Sequence, residues 1–145
     1  MQRIDKNEYY LNIAKAVSKM STCLRRHYGA VIVKNDRIIS TGYNGSARGE
    51  ENCCDVGECY RKAHNIPHGE QYEKCVAVHA EQNAISSGNG QEIIGSTLYL
   101  YGEENGQEIE AEPCLMCQRL ITNAQILNII GSGGKESYRM QKNLY

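Results

Sequence analysis

The sequence has no stretch of ~20 apolar residues, which excludes a membrane-spanning helix of ordinary length. Its polar opening, Met1-Gln2-Arg3-Ile4-Asp5-Lys6, lacks the apolar core of a signal peptide. It has no excess of either charge: the net charge is −1, with Lys and Arg dispersed and not in runs. That argues against a protein built to grip a long polyanion, so nucleic acid is an unlikely partner and small ligands are expected. Internal repeats are absent as well. What remains is a cytoplasmic chain with no membrane partner, 145 residues long. This is the size of a single domain, able to bury ~68% of the surface exposed by its unfolded form.

Against this background seven cysteines are many. In a reducing compartment they point to metal binding or catalysis before disulfides. Cys114 and Cys117 form a close pair, whereas Cys23, Cys53, Cys54, Cys59 and Cys75 precede or accompany an irregular central stretch, which suggests two metal sites.

Tyr10, Ile13, Ala14, Val17 and Met20 recur at helical spacing and predict an amphipathic helix over about 7–21. Gly29 to Val33 and Arg37 to Thr41 read as strands joined by the polar turn Lys34-Asn35-Asp36, an antiparallel hairpin. Residues 44–75 show little periodicity, and an insert so long in a compact domain needs something to pin it. His79 to Ser87 reads as a helix ended by Gly88-Asn89-Gly90, and Thr97 to Tyr101 as a buried strand. Pro113 suits the first turn of a helix running from Cys114 to about Thr122, and Gln125 to Ile130 as a strand follows. Strand, helix and strand in succession imply a right-handed crossover with parallel pairing. The expected fold is α/β, a mixed sheet between helices, in one domain spanning 1–145 with a tail over about 132–145.

Cys114-x-x-Cys117 at a helix start places two thiolates within one turn, where a single zinc can take both. His79, opening another helix, is the candidate third ligand, and a three-ligand site leaves one position open for water. Glu81, two residues on, can reach that water without ligating the metal, and so serves as proton shuttle. Either element alone is weak. His79-Ala80-Glu81 together with Pro113-Cys114-Leu115-Met116-Cys117 is the signature of the zinc nucleobase deaminases.

With Thr22-Cys23-Leu24-Arg25-Arg26, Gly42-Tyr43-Asn44-Gly45 and Asn52-Cys53-Cys54-Asp55 added, the chain resembles the deoxycytidylate (dCMP) deaminases of the cytidine deaminase-like superfamily. The resemblance covers about residues 8–131. It implies a three-layer α/β/α fold with a five-stranded mixed sheet, and hydrolysis of dCMP to dUMP and ammonia for dTMP synthesis. It also implies a homo-oligomer, commonly a hexamer, regulated by dCTP and dTTP with Mg2+ at a site between subunits. Asn44 matches the position that contacts the deoxyribose, and Ala80 is counted with it among substrate contacts. Arg25 and Arg26 are candidates for phosphate, since guanidinium forks suit phosphate oxygens. In relatives a second, structural zinc ties the first helix to the insert. Cys23 and Cys53 match two of its ligands and Cys75 is the natural third. The fourth is Cys59 or His68, with Cys59 preferred because thiolates suit closed structural sites.

One departure is the acidic segment from Gly102 to Glu112, with five glutamates where many relatives run almost directly into Pro-Cys-x-x-Cys. These glutamates would repel phosphate and are expected to face solvent; if they do not, a nucleoside or another pyrimidine gains ground. The competing readings are a tRNA adenosine deaminase and, from another class, a non-catalytic zinc-stabilised nucleotide-sensing module such as a DNA-uptake system would use.

Overall fold

The structure is a computed structural model that describes residues 2–138. Helix α1 (Lys6–Ser18) leads into β1 (Arg26–Lys34) and β2 (Arg37–Tyr43). The insert carries β3 (Gly45–Ser46), the short helices α2 (Cys53–Val56) and α3 (Tyr60–Ala63), a 3-10 turn (Tyr72–Lys74) and β4 (Ala77–Val78). Then come α4 (Ala80–Ser87), α5 (Gly90–Ile93), β5 (Thr97–Glu104), β6 (Gln107–Ile109), α6 (Leu115–Asn123), β7 (Asn128–Gly131) and β8 (Lys135–Tyr138).

The main sheet runs β2-β1-β5-β7-β8, with β6 added beside the end of β5, and a separate ribbon pairs β3 with β4. Only β5 and β7, joined through α6, pair in parallel; the other ladders are antiparallel. The sheet is therefore mixed, as expected, and longer by one short strand.

Alternation along the central strands sorts the core into two layers. Val31, Val33, Tyr99, Tyr101 and Ile130 meet Tyr10 and Ala14 of α1 on one face. Ala30, Ile32, Leu98, Leu100 and Ile129 meet Ala80 and Ala84 of α4 and Ile121 of α6 on the other. In a chain without Phe or Trp, tyrosine supplies the aromatic bulk of the α1 layer, and its hydroxyls find partners. Tyr10 donates to Asp36, Tyr99 to Asn7 and Tyr101 to Glu103.

Several expected boundaries move. The first helix stops at Ser18, and Met20, read as part of its apolar stripe, is 63% exposed. Gly88-Asn89-Gly90 ends α4 but also opens α5, because the Asn89 carboxamide caps it by accepting from the backbone N–H of Gln91 and Glu92. The acidic segment is a hairpin and not a loop: Asn105 and Gly106 take φ of 53° and 76°, the left-handed pair that a two-residue turn requires. Of the proposed tail, 135–138 pair with β7 and so extend the sheet, while 139–145 lie outside the described residues.

Candidate active site

Two helix N-termini build the site. Helix α4 presses close to β2 because position 42 is glycine: a Cβ there would lie 2.3 Å from Ala84 N and 2.5 Å from Ala80 O. The Ser40 hydroxyl donates to Ala84 O at 2.6 Å, and the Asn83 carboxamide donates to Tyr43 O at 2.8 Å, which fixes the helix along the strand. Its N-cap is His79, whose backbone N–H donates to the Gln82 side chain. The N-cap of α6 is Cys114, and Gln118 steadies that turn by donating to Pro113 O at 2.8 Å.

At their meeting point His79, Cys114 and Cys117 bring their ligand atoms within 4.8 Å of one another, the one such group among the described residues. His79 Nδ1 is 3.6 Å from Cys114 Sγ and 3.3 Å from Cys117 Sγ. A tetrahedral zinc with Zn–N of about 2.0 Å and Zn–S of about 2.3 Å sets such atoms about 3.5 Å apart, so the donor set fits that ion in identity and spacing. The thiol of Cys114 is pushed down to about 4, first by the hydrogen bond from Cys117 and then by His79. Cys117 moves the opposite way as the donor of that bond and through burial.

Glu81 is 5% exposed, and burial raises its pKa above the usual carboxylate range; its own backbone and His79 pull the other way. It lines a cleft of about 760 Å³ together with His79 and Cys114, while Cys117 is fully buried. The expected substrate residues Asn44, Ala80, Arg25 and Arg26 line the same cleft. Asn44 is buried and half-committed to the backbone of β1: its carbonyl accepts from Tyr28 N at 2.8 Å and its amide donates to Arg26 O at 2.9 Å. Arg26 lies 3.6 Å from the Glu104 carboxylate and donates weakly to the Tyr28 hydroxyl at 3.4 Å.

Cys23, Cys53, Cys59 and Cys75 also border the cleft, whereas Cys54 is exposed elsewhere. The Cys23 thiol is pushed up to about 12 by burial and then by Cys53 and Cys75, with Cys59 a smaller contributor. Cys53 is raised by burial and by Cys59 and Cys75. The four thiols are thus neighbours, though looser than the first triad. His68 stands apart from them against Arg26, its pKa lowered by burial and then by Arg26, Arg25 and Arg61.

The solvent-facing expectation for the acidic segment fails at Glu103 and holds at Glu108, Glu110 and Glu112, which are exposed. Glu103 is buried, bridged by Lys19 at 2.8 Å and bonded by Tyr101. Glu110 and Glu112 border the cleft. The cause is Ala111, 1% exposed, whose N–H donates to Ser132 O and which pulls its two neighbours onto the rim. Sequence reasoning also overlooked Tyr28, Arg61 and Tyr72, all on the cleft wall. Arg61, two residues after Cys59, and Tyr72, three before Cys75, sit among the thiols in sequence, and that proximity was the available signal.

The chain matches the family described as the cytidine and deoxycytidylate deaminase zinc-binding region over residues 4–132. It is 37% identical to the deoxycytidylate deaminase of Mycobacterium phage D29 over 90% of this chain and 96% of that protein. It is 34% identical to that of Schizosaccharomyces pombe over 86% of this chain, but spans only 36% of that longer protein. The crystal structure of dCMP deaminase from cyanophage S-TIM5 in complex with dCMP and dUMP superposes with a TM-score of 0.63 at 26% identity, covering 90% of this chain and 83% of that one. With the His-Cys-Cys triad and the buried Glu81 in place, the chain belongs to the cytidine and deoxycytidylate deaminase family.

Proposed function

We propose that the chain hydrolyses dCMP to dUMP and ammonia, and so feeds dTMP synthesis. The carrying observation is the juxtaposition of Glu81 with the His79, Cys114 and Cys117 group at a cleft that is also lined by Arg25, Arg26 and Asn44. Zinc held by His79 Nδ1 and the two cysteine sulfurs would supply the Lewis acid that makes water nucleophilic near neutral pH. Glu81 takes a proton from the water that attacks C4 of cytosine and delivers it to ring N3. The second water proton goes to the exocyclic nitrogen as the C4–N bond breaks, so ammonia leaves and the oxygen stays as the C4 carbonyl. A carboxyl whose pKa is raised by burial suits this traffic, since it is a stronger base towards the water proton than an exposed carboxylate. The remaining N–H of the Asn44 carboxamide is available to the deoxyribose, and Arg25 and Arg26 face the phosphate. Ala80, at the first turn of α4, forms part of the wall beside the base.

A second zinc, structural in role, is part of this reading, held by Cys23, Cys53, Cys75 and Cys59. Cys59 is favoured over His68 as the fourth ligand because it acts on both Cys23 and Cys53, and thiolates suit closed structural sites. So is a homo-oligomer, a hexamer, with dCTP and dTTP acting with Mg2+ between subunits of a cytoplasmic enzyme. The exposed Leu115, Met116 and Val76 offer apolar surface to a neighbouring copy. No helix among the described residues is long and apolar enough to cross a membrane.

The alternative with an observation behind it is a nucleoside substrate, because Glu110 and Glu112 on the rim repel phosphate. Ammonia release from dCMP, dCTP, CMP, deoxycytidine and a tRNA anticodon stem-loop, each with and without dCTP or dTTP, tests the assignment. Preference for dCMP supports it; preference for deoxycytidine or the stem-loop overturns it.

A further inference from the structure

His68 and Arg26 meet in an unusual way. The Arg26 Nη1 atom is 3.3 Å from His68 Nδ1 and 3.4 Å from His68 Nε2. The two ring nitrogens are separated by a single carbon and their in-plane directions diverge, so one atom equidistant from both cannot lie along either. Nη1 lies over the face of the ring, the stacked arrangement that guanidinium groups make with flat π-systems. Both edge nitrogens of His68 therefore point away from the arginine. Among the described residues neither has another hydrogen-bond partner, and Tyr72 meets the ring only at 6.5 Å between centroids.

The loop bearing His68 is held from behind. Arg61, buried, donates to Pro67 O at 2.7 Å and to Glu70 O at 2.6 Å, and so brackets His68 in sequence. These bonds commit Arg61 to the loop. Arg25, by contrast, lines the cleft, and among the described residues neither Arg25 nor the Arg26 Nη2 has a hydrogen bond. Arg26, Arg25 and Arg61 place positive charge around His68, with Glu104 opposing them, at one end of the cleft. Glu110 and Glu112 on the rim and Glu81 beside the triad are the other carboxylates in the cleft lining.

We propose that His68, stacked on Arg26, is a phosphate-binding residue contributed by the insert, and that with Arg25 and Arg26 it selects a 5′-monophosphate over the free nucleoside. This rests on the deaminase reading above and adds to it a specificity residue outside the signature motifs. An edge nitrogen of His68 donates to a phosphate oxygen while Arg26, whose Nε side faces Glu104, supplies charge from the ring face. The loop also acquires a reason to be pinned by Arg61, since a donor on a mobile loop would lose its advantage to ordering entropy.

The test uses the full-length, zinc-loaded protein with His68→Ala and His68→Asn, and reads two quantities. The first is the affinity for inorganic phosphate and for dUMP by titration calorimetry, which does not depend on turnover. The second is the ratio of kcat/KM for dCMP to that for deoxycytidine. Loss of one charge-assisted hydrogen bond should weaken both phosphate and dUMP binding by about tenfold in the alanine variant. It should lower the dCMP-to-deoxycytidine ratio by a similar factor through KM, while Asn, which keeps a donor, recovers part of the loss. Equal phosphate affinity in wild type and His68→Ala overturns the proposal, as does a loss shared equally by dCMP and deoxycytidine. If the wild type turns over no cytosine compound yet binds phosphate through His68, the deaminase reading fails and the subsite stands.

Discussion

The ring of Tyr72 stands edge-on to His79, 5.0 Å between centroids and 84° between planes, with the Arg61 guanidinium 4.6 Å from the same tyrosine ring. A side chain from the insert thus contacts a candidate metal ligand on α4, so the order of the insert is transmitted to the triad. Removing a group that orients a ligand typically costs 10–100-fold in metal affinity or activity. Tyr72→Ala is expected to weaken zinc retention against a competing chelator by about that range, and Tyr72→Phe, which keeps the ring, to stay within about threefold of wild type. Equal retention in all three proteins would remove the link.

Asn44 makes a different kind of contribution. Its carboxamide satisfies Tyr28 N and Arg26 O in a buried position, so Asn44→Ala leaves two backbone groups without those partners. The expected cost is about 1–3 kcal/mol of stability, read from the urea midpoint at constant m. A loss of activity with no loss of stability would mean that the side chain serves substrate alone.

Gly42→Ala places a methyl group into the backbone of α4, and overpacking of that kind costs about 1–3 kcal/mol. Because α4 carries His79 and Glu81, activity should fall along with the melting temperature. An unchanged melting temperature would show that the helix yields freely at this point.

Alkaline stability follows from two tyrosines. The pKa of Tyr10 is pushed up to about 12 by burial and by its bond to Asp36, and that of Tyr101 to about 12 by burial and its bond to Glu103. The folded chain holds both protons more tightly than the unfolded one, so the stability they confer is complete below about pH 10 and is lost as pH rises towards 12. A urea midpoint that declines steeply over that interval, and less steeply in Tyr10→Phe, is the expected result. A flat profile would contradict it.

Much of this was legible in the sequence because it depends on local pattern. The period-2 strands, the helix starts at His79 and Cys114, and the Cys-x-x-Cys spacing each follow from short-range chemistry, and the triad assembled where those starts implied. The Asn105-Gly106 dipeptide carries a hairpin signal of its own, embedded in an acidic run. Less accessible were features made by long-range packing. Ala111 anchors on Ser132 and turns Glu110 and Glu112 to the cleft, and nothing in an acidic run announces that anchor. The face-on contact of His68 with Arg26 joins positions 42 residues apart, through an insert without periodicity.

Glu81 is the residue on which the proposed deamination most directly depends. In Glu81→Gln the carboxylate is replaced by an amide of nearly the same shape, so zinc content and melting temperature should match the wild type. Conversion of dCMP to dUMP and ammonia should fall by about 10²–10⁴-fold, the range that general acid–base catalysis supplies. Turnover of dCMP near the wild-type rate by a zinc-loaded Glu81→Gln protein would contradict the mechanism.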